Sequence, residues 1–106
     1  MTEIMQGEAF SLFALVTDDG GAAPTEDDVV LLEVMIGQIR KVYPGQITYD
    51  AASKQFEIPL TQADTLSLAP GMTDAQARCK FSDSTVLGWH RCAELCVTAS
   101  ASREIL

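Results

Sequence analysis

Four side chains in this sequence have the chemistry of a nucleophile or a soft metal ligand: His90, Cys79, Cys92 and Cys96. His90 and Cys92 stand two positions apart. On a strand they share a face at roughly 6–7 Å, too far for the direct hydrogen bond that a Cys–His nucleophile pair needs. A zinc site would draw on Cys92 and Cys96 with His90, yet no C-x-x-C with the usual ligand spacing exists. Buried cysteines ordinarily serve as small apolar residues. The odd count, with no basic and apolar leader at the N-terminus, predicts three reduced thiols made in a cytosol. A second candidate is the run of acids Asp18, Asp19, Glu26, Asp27 and Asp28. Their spacing does not follow the calcium loop D-x-[DN]-x-[DN]-G, so they read as a solvated loop. Trp89, Tyr43 and Tyr49 are the aromatics that a sugar-binding platform would use, although core or turn packing is the ordinary role for so few. No catalytic residue, metal ligand or cofactor is assigned, and the expectation is a non-enzymatic protein.

The chain has 106 residues, 47% of them hydrophobic, and fifteen Asp and Glu against seven Lys and Arg, a formal charge of -8. That length predicts one domain spanning residues 1–106 with a modest core of its own. The acidic balance argues against naked nucleic acid, whose phosphates are bound by basic surface, and against an anionic membrane. No run reaches the ~18 apolar residues of a membrane span.

Period-2 alternation organises the sequence. Ala75, Ala77, Cys79 and Phe81 alternate with Gln76, Arg78 and Lys80, marking a half-buried strand. Before it, Thr61 to Met72 reads as a turn-rich corner, in which Thr61, Asp64 and Thr65 bond nearby backbone amides. Further strands are expected at Glu8 to Val16, Asp28 to Ile36, Gln38 to Val42, Ile47 to Tyr49, Phe56 to Leu60 and Thr85 to Val97. Gly37 is read as a bend or bulge, Tyr43-Pro44-Gly45 as a turn, and Pro59 as a mark of an edge or strand end. A hairpin turning at Asp83-Ser84 pairs residues whose numbers sum to 167, so that Cys79 faces Gly88 and Cys92 faces Ala75. No helix is expected. The predicted core is Phe10, Leu12, Val30, Leu32, Val34, Ile36, Phe56, Ile58, Leu60, Ala75, Ala77 and Phe81. Seven or so short strands with regular turns predict an all-β, antiparallel sandwich.

The order of several short motifs resembles a set of small proteins encoded among the virion-structure genes of tailed bacteriophages. The pattern comprises Gly7, Glu8 and Phe10, then an acidic loop, then Ile36-Gly37. Lys41, Tyr43 and Pro44 follow, then Leu60-Thr61-Gln62 with Asp64-Thr65, Gln76 with Arg78, and Ser102, Glu104, Ile105 and Leu106. The likeness covers nearly the whole chain. It departs at the hairpin turn, where a Gly is common and Asp83-Ser84 stands here. The resemblance implies an immunoglobulin-like β-sandwich of about seven strands and a structural or assembly role in the tail, baseplate, neck or head of the particle. It further implies partners among other virion proteins and location in the virion after synthesis in the host cytoplasm. The alternative from a different class is a carbohydrate- or host-surface-binding sandwich module.

Association is expected at apolar residues on predicted solvent faces. Phe13 and Leu15 break the alternation of the first strand, which is expected to be an edge, and Leu31 and Met35 repeat the anomaly opposite Leu32 and Val34. Ile105 and Leu106 end the sequence on an apolar note. These six form the predicted interface with a like subunit, giving a homo-oligomer, or with another virion protein; the competing expectation is that the tail covers the exposed strands within the same chain.

Overall fold

The computed structural model describes residues 2–14, 16 and 28–106, with the side chains of His90 and Cys92 left out of the description. The acidic run Asp18 to Asp27 and Leu15 therefore lie outside the described residues. Among the described residues eight strands and one short helix follow in order: β1 (Thr2–Met5), β2 (Phe10–Ala14), β3 (Val29–Ile36), β4 (Ile39–Tyr43), β5 (Thr48–Asp50), β6 (Gln55–Leu60), α1 (Gln62–Leu66), β7 (Gly71–Phe81) and β8 (Val86–Thr98). The all-β expectation holds. One sheet has the order β1-β8-β7-β3-β4 and the other β2-β6-β5. Their inner faces bury a common cluster, with Leu32, Val34, Ile36, Cys79 and Leu95 from the larger sheet and Phe56, Ile58 and Leu60 from the smaller.

Several expectations are corrected. The pairing is not wholly antiparallel: β1, which alternation does not mark, lies parallel to β8 with Ile4 opposite Val97. Its alternation is too short to register in TEIM, yet Ile4 is buried. Val30 is not core. Val29 faces Phe81 while Leu31 faces Lys80, so Val30 is the extra residue of a bulge and is 49% exposed, and Val29 takes the buried position. A bulge resets which side chains face inward. Phe10 and Leu12 pack on the core only partly buried; among the described strands β2 is an edge with no neighbour on one side.

The long hairpin is also re-registered. Phe81 N–H donates to the Thr85 carbonyl (2.8 Å) and Ser84 N–H to the Phe81 carbonyl (2.9 Å), with Ser84 in the left-handed region at φ 71. That is a three-residue loop ending in a left-handed residue. It brings Cys79 opposite Leu87, not Gly88. A one-residue slip exchanges the faces of the partner strand, so Leu87 and Trp89 pack on the core. Further along, Ala75 faces Ala93 while Ala77 faces Trp89; two extra residues bulge from β8 opposite Gln76, and Ala75 does not face Cys92.

Gly37 is a hairpin position, not a bulge. Ile36 pairs with Ile39, leaving a two-residue turn whose first residue, Gly37, has φ 58. A Cβ there would meet the Leu68 side chain at 3.3 Å. Tyr43-Pro44 is a cis peptide in the turn that follows β4. Pro59 lies in the central strand of the small sheet, but beyond Glu57, where β5 stops pairing.

The corner after Leu60 is helical, contrary to the expectation of turns alone. The chemistry assigned to it is present: the Thr61 hydroxyl accepts from Asp64 N–H (3.1 Å) and the Asp64 carboxylate from Thr61 N–H (2.9 Å). This reciprocal pair is a capping box. With only five residues, α1 has no room for the apolar periodicity by which helices are recognised.

Candidate functional site

Two polar residues among those described are buried, Gln6 and Thr65, and both tie the turn after β1 to other parts of the chain. The Thr65 hydroxyl accepts from Gly7 N–H at 2.9 Å and is 2.8 Å from the Glu8 carbonyl, to which it donates. Gln6 Nε2 donates to the Leu68 carbonyl at 2.7 Å, and its Oε1 accepts from Ser100 N–H at 3.3 Å. Buried polar groups without partners are costly, so these bonds fix the N-terminal turn, α1 and the tail as one corner. The tail is held by polar groups throughout. Arg103 Nη2 donates to the Leu66 carbonyl (2.8 Å), and Leu106 N–H to Gln62 Oε1 (2.7 Å).

That docking leaves the apolar ends of the tail outside: Ile105 is 58% exposed and Leu106 99%. The six predicted interface residues are not brought together. Phe13 lies on the outer face of the small sheet, 55% exposed with the tail in place, so the tail does not cover it. Leu31 and Met35 lie on the outer face of the larger sheet, Leu31 exposed and Met35 half-buried. Leu15 is outside the described residues. Among the described strands the Phe13 strand has the expected edge position.

The outer face of the larger sheet holds a cluster of charged side chains. Glu33 on β3 lies between Arg78 of β7 (Oε1–Nη2 2.7 Å) and Arg40 of β4 (Oε2–Nε 2.7 Å). Hydrogen bonds from Arg78, then Arg40, outweigh partial burial and hold the Glu33 carboxyl below its ordinary range. Beside this triad an open depression is lined by Leu31, Glu33, Arg40, Arg78, Lys80 and Val86. Val86 is 58% exposed. The sequence marked Arg78 and Lys80 as outward-facing. It missed Arg40 and Val86 as their neighbours, because that adjacency depends on the register of three strand pairs. On the smaller corner, burial disfavours the Asp64 charge, but Lys41 at 2.8 Å and the Thr61 amide and hydroxyl lower its pKa overall.

Cys79 and Cys96 are free thiols. Burial pushes the Cys79 thiol up to about 11, which keeps it protonated at neutral pH and takes away the thiolate that a nucleophile needs. Among the described residues no group of three His, Cys, Asp or Glu side chains converges to hold a metal, and no described helix is long and apolar enough to cross a membrane. The tyrosines are packing residues: Tyr43 and Tyr49 flank Phe56 edge-on, each with ring centroids 5.0 Å away. Trp89 is partly buried against the same core. No protein-family model, curated protein or solved structure matches the chain.

Proposed function

We propose that this protein is a non-enzymatic structural or assembly module of a tailed-phage particle, built as an immunoglobulin-like sandwich from its two facing sheets. The observation that carries the assembly role is the distribution of large exposed apolar side chains. Phe13 stands on one outer face, Leu31 and Val86 on the other, and Ile105 and Leu106 on the tail. Apolar surface in several separate places suits a subunit that is contacted from more than one side. The bacteriophage assignment itself rests on the ordered motifs from Gly7 to Leu106. Its partners are other virion proteins and further copies of the same chain, and its place is the virion, after synthesis in the host cytoplasm.

A glycan- or host-surface-binding module is the competing function, and the packing of Tyr43, Tyr49 and Trp89 on the core takes from it the exposed aromatic platform it would use. Mass spectrometry of purified particles tests the proposal. Peptides of this chain are expected in mature virions or in assembly intermediates. Their absence from both, or selective glycan binding by the purified protein without particle incorporation, would overturn it.

A further inference from the structure

The depression on the larger sheet is unusual for this molecule in its charge. Three cations, Arg40, Arg78 and Lys80, stand there against one carboxylate, Glu33, in a chain whose formal charge is -8. Glu33 is already shared by both arginines. Arg78 still has 70% of its side chain exposed and Arg40 55%, and Lys80 forms no ion pair among the described residues. Asp83 in the adjoining turn is engaged by the Thr85 amide. Leu31 and Val86 supply apolar surface within the same depression.

The tail has the complementary chemistry. Arg103 is turned inward onto Leu66 and Gln6, so the segment shows the carboxylate of Glu104 followed by the exposed side chains of Ile105 and Leu106. The two features cannot meet within one copy. The tail is bonded to Gln62, beside the end of the long hairpin where Gly71 faces Val97, whereas the depression adjoins the other end, where Lys80 faces Val86. Nine residue steps of strand separate these ends, roughly 30 Å.

We infer that the depression around Arg78, Lys80, Leu31 and Val86 receives the Glu104-Ile105-Leu106 segment of a second copy of this chain, head to tail. Glu104 is placed to meet Lys80 or Arg78 while an apolar tail residue covers Leu31 and Val86. Such a contact is heterologous: it uses two different surfaces, and so it propagates into a ring or a filament and does not stop at a pair. This inference rests on the surface chemistry alone and is separable from the assignment to a phage particle.

The test is sedimentation of the purified protein over a wide concentration range at low and high salt. Two variants are used, Lys80→Gln with Val86→Asp in the depression and Glu104→Gln with Leu106→Ser in the tail. Circular dichroism confirms that each is folded. Wild type is expected to grow in mass with concentration and to shrink in high salt, because exposed ion pairs are screened. Each variant alone is expected to remain a monomer. Mixed, they are expected to form a complex of twice the monomer mass and no larger, since one contributes an intact tail and the other an intact depression. A wild type that is monomeric throughout would overturn the inference, whether or not it binds another acidic protein. So would association that survives either variant, or a mixture in which no complex forms.

Discussion

The Thr65 hydroxyl of α1 reaches the main chain of the N-terminal turn, 2.9 Å from Gly7 N and 2.8 Å from Glu8 O, with Thr65 fully buried. One side chain thus satisfies a donor and an acceptor on a segment nearly sixty residues earlier in the sequence. Thr65→Val keeps the shape and removes both bonds. It is expected to destabilise by about 1–3 kcal/mol, the cost of leaving buried polar groups unpaired, whereas Thr65→Ser is expected to retain most of the stability. Urea denaturation of the three proteins checks this; a loss in Thr65→Ser with little or none in Thr65→Val would assign the effect to packing of the methyl group.

Leu32 is completely buried and lies between Cys79 on one side and Tyr43 on the other. Leu32→Ala is expected to cost about 2–5 kcal/mol from lost burial and the cavity left behind. Val30→Ala, on the bulge and half exposed, is expected to change stability by less than about 0.5 kcal/mol. If thermal melting showed the two substitutions to be equally damaging, the bulge between Val29 and Leu31 would be wrongly placed.

Ser84 occupies the left-handed region at φ 71, where a side chain costs about 1–2 kcal/mol relative to glycine. Ser84→Gly relieves that cost but frees the unfolded chain. A net stabilisation of roughly 0.5–1 kcal/mol is expected. A fall in melting temperature on making Ser84→Gly would count against the three-residue loop.

Glu33 ionises more readily folded than unfolded, since Arg78 and Arg40 hold it below the ordinary value of 4.5. The folded state therefore binds fewer protons on acidification, and the stabilisation is complete above about pH 4.5 and lost as pH falls through the lowered value. Asp64 acts in the same direction from its ordinary value of 3.8. Melting temperature is expected to fall below about pH 4.5, and Glu33→Gln is expected to flatten part of that slope. An unchanged slope would mean that the Arg40–Glu33–Arg78 triad makes no net contribution in solution.

The strands from Val29 to Leu60 and the Ala75–Phe81 face were legible because alternation is a local property. What the sequence concealed depends on relations between segments. Val30 and Val29 are equivalent by composition, and only the mismatch with β7 decides which one is buried. The β8 faces hinge on whether the turn at Asp83-Ser84 holds two or three residues, and Ser84 gives no sign of adopting a conformation that glycine would favour. The helical corner was recognised through its capping residues but not through its shape. For the candidate interface, single residues such as Phe13, Leu31 and Leu106 could be picked out as misplaced apolar groups. Their distribution over separate surfaces, and the gathering of Arg40, Arg78 and Lys80 beside Val86, required the sheet order.

The parallel pairing of β1 with β8 has a consequence for how the molecule comes into being. The Thr98 hydroxyl donates to the Ile4 carbonyl across 94 positions of sequence, so one edge of the larger sheet must wait for residues near 98 before it can close. Contacts of such separation bear the full entropy of loop closure and slow folding. During synthesis the first strand emerges long before its partner, and Ile4, destined for the interior, stays in water meanwhile. Closure of that edge of the sheet is thereby tied to β8, the last described strand to be made.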